Sequence, residues 1–216
     1  MKPEMHLRTA QTSFEVRSDG GGHTLVGHAA VFDTETTIAG LFREMIAPGS
    51  FRKTIKESDV RALFNHDPNF VLGRNKSGSL RLSEDESGLR YEVDLPDTQA
   101  ARDVYTLIAR GDVSQSSFAF KVVKEQRSDP EEGQTLPLFV VREARLYDVS
   151  PVPYPAYDET DVQAASAYED TDALLRRYAS YTGLSLEDVR ARLRRGERIW
   201  SPKKVWTVVR DTLAIS

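Results

Sequence analysis

Gly111-Asp112-Val113-Ser114-Gln115-Ser116-Ser117-Phe118-Ala119-Phe120-Lys121-Val122 is the stretch on which the reading of the fold turns. It opens on a glycine suited to stop a helix and sets three serines within four positions. It then runs into an alternating aromatic segment that predicts a buried strand. Serines at the head of a strand point to chemistry. Serine is also common in turns, where its hydroxyl bonds nearby backbone, so the cluster alone does not identify a nucleophile.

Just before this stretch, Thr98 is placed to cap a helix whose Val104, Leu107 and Ile108 fall at i, i+3 and i+4, with Gly111 as its stop. Leu80 and Leu82, then Leu89, Tyr91, Val93 and Leu95, alternate with polar neighbours, which predicts a hairpin over residues 79–95 with one apolar face. Residues 60–64 predict a buried strand ending at Asn65-His66-Asp67-Pro68, where the proline biases Asp67 to an extended backbone. Ser50 is placed to cap a short helix carrying Phe51 and Ile55. Residues 13–17 and 24–32 predict an opening hairpin across Gly20-Gly21-Gly22. Downstream, residues 128–133 form a polar turn and residues 138–149 a long strand, which Pro151, Pro153 and Pro155 are expected to end because proline cannot donate to a ladder. The pattern is mainly β with flanking helices.

Composition sets bounds. At 39% hydrophobic and 29% charged the chain of 216 residues is of ordinary globular make-up, with one core expected. A net charge of -4 gives no electrostatic reason to expect direct nucleic-acid binding. The absence of cysteine removes thiol nucleophiles, thiolate metal sites and disulfides together. The start has no apolar core of signal-peptide length and no stretch approaches the roughly 18 apolar residues of a membrane span, so a cytosolic product without membrane contact is expected. From about Asp158 to Asp172 the chain is acidic and rich in small residues, which reads as a linker. Beyond it come a helix stopped by Gly183 and a second one capped by Ser185 with Asp188, whose Arg190, Arg192, Arg194 and Arg195 suit a solvated face or an acidic partner.

A serine nucleophile needs a base, normally an imidazole oriented by a third group. Of the four histidines, His6 falls in a terminus expected to fray, His23 beside the triple glycine, and His28 within a strand. His66, at a strand end beside Asp67-Pro68, is the best base. No zinc pattern, P-loop or dinucleotide fingerprint is present, and no cofactor or metal is expected. There is also no Gly-x-Ser-x-Gly elbow, which excludes the α/β-hydrolase arrangement.

Phe64-Asn65-His66-Asp67, Val71-Leu72-Gly73-Arg74, Gly88-Leu89 with Tyr91, Ser117-Phe118-Ala119-Phe120, Leu146-Tyr147-Asp148-Val149-Ser150 and Pro155-Ala156 stand in one order. So arranged, with residues 27–32 and 46–51 before them, they resemble the prohead maturation protease family of tailed bacteriophages, over roughly residues 12–158. That family is similar in fold to the herpesvirus assembly proteases, which implies an antiparallel β-barrel with flanking helices. The resemblance implies His66 as base and Ser117 as nucleophile, with Ser116 the near alternative. By strand parity Ser114, Ser116, Phe118 and Phe120 share one face and Ser117 the other, so core phenylalanines would leave Ser117 facing a substrate groove. The third position falls on Asp148, with Glu143 and Asp67 competing. Backbone N–H groups would hold the oxyanion, and Arg74 either helps there or pairs with a surface carboxylate.

The resemblance further implies a serine endopeptidase packaged in the procapsid within the host bacterial cytoplasm. It would cut scaffold protein or the scaffolding segment of the major capsid protein, and itself; homo-oligomerisation stays open. The expected division is a protease domain at residues 1–158, a linker at 159–173, and a helical segment at 174–216 that targets the capsid or scaffold or is removed by self-cleavage. The alternative is a non-catalytic capsid-assembly or scaffold-binding module with the same fold, against which the retention of both His66 and Ser117 speaks.

Overall fold

The structure is a computed structural model that describes residues 5–11, 14–19, 22–38, 40–153 and 171–195. The predicted linker falls almost wholly outside the described residues, as do Ser13, Gly20 and Gly21 of the opening hairpin.

Eleven strands among the described residues form two sheets. The smaller orders β2 (Glu15–Asp19), β3 (Gly22–Val31), β9 (Gly88–Leu95) and β8 (Leu80–Glu84), all antiparallel. Period-two alternation is cleanest in β9, where Leu89, Tyr91 and Val93 are fully buried while Arg90, Glu92 and Asp94 between and after them meet solvent. The larger sheet runs β1 (His6–Gln11), β10 (Gln115–Ser128), β11 (Leu138–Val152), β5 (Phe42–Ile46) and β4 (Thr36–Ile38). It forks at β11, which pairs in parallel with β5 through Leu138–Val141 and with β6 (Arg61–Phe64) through Asp148 and Val149. β7 (Asp67–Arg74) pairs antiparallel with β6.

The chain is thus mainly β with helices, but its described strands do not close into the expected barrel. Closure requires edge strands to bond one another. Here β11 divides one side between two short strands, and the sheets face each other across apolar side chains instead. That core joins Leu25, Tyr91 and Val93 of the smaller sheet to Phe118, Phe120, Leu146 and Val149 of the larger. Phe51 stands edge-on to Phe118 at 5.6 Å, an arrangement that aromatic quadrupoles favour.

Helix α2 (Gln99–Arg110) starts where Thr98 Oγ1 accepts the Ala101 amide at 3.3 Å, and it ends at Gly111, whose φ of 84° needs no Cβ. Helix α1 (Arg52–Glu57) is not capped by Ser50; that hydroxyl donates to the carbonyls of Ala47 and Val141 and ties the preceding turn to β11. The ladder of β10 and β11 also continues past Pro151, pairing it with Ser116. A residue's N–H and C=O point to the same side of a strand, and the Pro151 carbonyl accepts the Asn65 amide at 3.0 Å, so the missing donor faces away from β10 and costs that ladder nothing.

Two further helices, α3 (Thr171–Thr182) and α4 (Leu186–Arg194), bury Leu174, Leu175, Tyr178, Val189 and Leu193 against Ile38, Phe42 and Phe139. Within this contact Arg177 donates to Glu44 and, at 2.7 Å, to Glu125.

Candidate active site

β6 and β7 are joined by two residues, Asn65 and His66, with Phe64 paired to Asp67. Both central residues have positive φ, 53° and 57°, as a type I′ hairpin requires. Asparagine tolerates this region; histidine there costs about 1 kcal/mol or more, so the surroundings must hold it. They do so from β11: the Asn65 amide donates to the Pro151 carbonyl at 3.0 Å and the His66 amide to Ser150 Oγ at 3.3 Å.

The imidazole is thereby aimed at the face of the sheet that carries Ser117, Ala119, Asp148 and Ser150. The ladder pairs Ser117 with Ser150 and Ala119 with Asp148, placing hydroxyl and carboxylate two residues apart on neighbouring strands. His66 Nδ1 lies 2.6 Å from Asp148 Oδ1, and its Nε2 lies 2.7 Å from Ser117 Oγ. Asp148 Oδ1 also accepts from Ser150 Oγ at 2.9 Å. With its Nδ1–H donating to the carboxylate, the imidazole presents its Nε2 as an acceptor to Ser117, the arrangement by which a neutral histidine takes a hydroxyl proton and a carboxylate stabilises the cation formed. Asp148 is 7% and Ser117 2% exposed, so the charges developing there are shielded from water. Rather than opening onto a groove, Ser117 Oγ stands 2.9 Å from the Arg8 carbonyl of β1.

Ser116 lies on the opposite face with Phe118 and Phe120, donating to the Tyr91 hydroxyl at 3.0 Å; burial pushes the Tyr91 pKa up. Glu143 is engaged by Lys124 at 2.6 Å and Lys53 at 3.4 Å, and those lysines hold its carboxyl below the usual range. It stands five residues before Asp148, about 16 Å along the strand. Asp67 Oδ1 accepts from the Asn69 amide at 2.8 Å. Arg74 forms a fork on Asp59, 2.7 Å from each oxygen.

The remaining histidines serve elsewhere. His6 is not in a frayed end: it belongs to β1 and is 2% exposed. His23 stacks on Tyr105 at 4.0 Å, and His28 bonds Asp85 at 2.7 Å.

Ser150 received no role in the sequence reading, although its spacing from Asp148 puts both on one strand face and was the signal available. The register of β1 on β10 had no signal of that kind. Among the described residues no cluster of three or more His, Asp or Glu could hold a metal ion, and no helix is long and apolar enough to cross a membrane.

A family model described as caudovirus prohead serine protease matches residues 12–173. No curated protein matches the chain. A solved structure of the bacteriophage T4 capsid assembly protease, gp21, is similar at a TM-score of 0.45 and 13% identity, over 72% of this chain and 100% of that one. A likeness that distant assigns no role to any residue of this chain.

Proposed function

The chain belongs to the caudovirus prohead serine protease family, and on that premise we propose that it is a serine endopeptidase of capsid maturation in which Ser117 is the nucleophile, His66 the base and Asp148 the group that orients it. The observation that carries the reading is one imidazole bonded to both partners, at 2.7 Å and 2.6 Å. His66 takes the Ser117 proton as Oγ attacks a peptide carbonyl. The imidazolium, steadied by Asp148, then returns the proton to the leaving amine, and water attacks the acyl-enzyme by the same route.

The substrates in this reading are the scaffold protein or the scaffolding segment of the major capsid protein, and the protease itself, inside the procapsid in the bacterial host. Confinement there supplies a high local substrate concentration, so slow turnover suffices. In this reading residues 1–158 carry the protease and residues 174–216, whose helices α3 and α4 pack on Ile38, Phe42 and Phe139, serve as a targeting element; a chain ending at Asp158 that packages normally would refute that role.

Co-expression with the capsid protein tests the function through intact masses. Wild type yields trimmed products, and both Ser117→Ala and His66→Ala abolish them. Loss with Ser116→Ala but not Ser117→Ala would move the nucleophile to Ser116. Assembled capsids with uncut masses for wild type would instead identify a non-catalytic assembly module.

A further inference from the structure

A nucleophile that is 2% exposed raises the question of how a substrate carbonyl reaches it. The group standing against Ser117 is the main chain of β1. That strand lies at one edge of the larger sheet with β10 as its neighbour, pairing Arg8 with Phe118 and Thr9 with Ser117. Ser117 Oγ is 2.9 Å from the Arg8 carbonyl and 2.7 Å from His66 Nε2. A hydroxyl carries one proton, so when it donates to Arg8 it cannot donate to His66. β1 therefore holds a peptide carbonyl beside the nucleophile and competes with the base for its proton.

The Arg8 side chain is equally placed. Its Nε lies 2.5 Å from Glu44 Oε1 and its guanidinium sits 5.7 Å from the Phe120 ring centroid. Glu44 is 3% exposed; burial works to raise its pKa, and the two guanidiniums of Arg8 and Arg177 overcome this and hold it at about 2. This is an acidic, aromatic-walled pocket filled by the side chain of Arg8, the same residue whose carbonyl stands against Ser117 Oγ. The family match begins at residue 12, just beyond the end of β1 at Gln11, so the strand lies outside the matched part of the chain.

We propose that the edge of β10 is the substrate-strand site, that the Glu44 pocket takes an arginine side chain of the substrate, and that β1 fills the site in the resting chain as a substrate mimic. This rests on the serine-protease reading of Ser117 and His66. An extended peptide added to a sheet edge gains affinity from main-chain hydrogen bonds and specificity from pockets for alternate side chains, and β1 supplies both. A tethered segment competes at an effective concentration in the millimolar range, so a strand of six residues can exclude other peptides until it is displaced.

The test is the rate at which Ser117 of the full chain reacts with a fluorophosphonate probe, which needs no knowledge of the substrate. Arg8→Ala loosens the strand while leaving Glu44 paired with Arg177, and should label about tenfold faster than wild type. The converse variant joins Gln11→Cys and Gln115→Cys, which are paired across β1 and β10 in a chain with no cysteine of its own. Directly opposed residues of antiparallel strands lie within disulfide reach. The oxidised form should label about tenfold slower than the same protein reduced. A peptide of residues 5–12 should slow labelling of Arg8→Ala, and should do so at lower concentration than the same peptide with alanine in place of arginine.

Equal labelling of the oxidised and reduced forms, at the wild-type rate, overturns the proposal and leaves the protease reading standing. No labelling of any form, with Ser117→Ala as the blank, overturns both. If Arg8→Ala fails to fold, the disulfide pair decides alone, because it only fastens a contact that the wild type already makes.

Discussion

Ser150 Oγ donates to Oδ1 of Asp148 at 2.9 Å while accepting the backbone amide of His66 at 3.3 Å. One fully buried hydroxyl therefore ties the carboxylate to the turn that carries the imidazole. Ser150→Ala removes both bonds at once, leaving the carboxylate with one fewer partner beside His66 and the turn with one fewer anchor. The expected loss is about tenfold in kcat with KM nearly unchanged, in line with a positioning hydrogen bond of about 1–1.5 kcal/mol. Ser150→Thr, which keeps the hydroxyl, should recover most of it. An unchanged kcat for a folded Ser150→Ala protein would remove the residue from the mechanism.

Asp148→Asn keeps the shape of the side chain but offers an amide where His66 needs an acceptor. Catalysis should fall by about three to four orders of magnitude. Glu143→Gln, which disturbs only the two lysine pairs, should stay within about twofold of wild type, since both lysines lie largely in solvent, which screens such pairs. Steady-state kinetics on one cleavable peptide separates the two carboxylates, and a reversal of their effects would reassign the third position.

Ser116→Ala should act on stability. It removes the hydroxyl that meets Tyr91 in the core and should lower the unfolding free energy by about 1 kcal/mol, with reactivity toward a fluorophosphonate retained. Tyr91→Phe in the same background should add little, because the two lose one shared bond. Denaturant titration of the two single variants and the double one checks this, and full additivity would count against the contact.

Acid stability should depend on Glu44. Burial works to raise its pKa and the charges of Arg8 and Arg177 outweigh it, holding the folded value at about 2 against an ordinary 4.5. A depressed carboxyl contributes stability that is complete above about pH 4.5 and is lost as pH falls toward 2. Thermal melts of wild type should therefore drop across that window. Glu44→Gln should start less stable and show a shallower decline; parallel curves for the two proteins would exclude Glu44 as the source.

Much of the fold was written in local pattern. Period-two alternation in residues 80–95 identified the β8–β9 hairpin, and Thr98 and Gly111 marked the ends of α2, because caps and pleats depend on residues close in sequence. Parity separated Ser116 from Ser117 for the same reason: adjacent residues of a strand cannot share a face. Local pattern also misled. Ser50 has the chemistry of a helix cap, yet a tertiary partner, the Val141 carbonyl, drew its hydroxyl away. Pro151 reads as a strand end, and only the placement of Asn65 beside its carbonyl showed on which side the missing donor falls.

The local sequence carried the helices, the β2–β3 and β8–β9 hairpins and the strands β6, β10 and β11, though not β1 or β7, together with the serine that faces the core and, through the order of its motifs, a family. The tertiary structure decided the meeting of His66 with Asp148, 82 residues away, the paired positive φ of Asn65 and His66, the link through Ser150, and the seating of β1 against Ser117. The division has a physical cause. Side-chain periodicity and capping are fixed by backbone geometry over a few residues, whereas strand register and a strained turn are set by which distant surfaces bury one another, and no short window of sequence carries that energy.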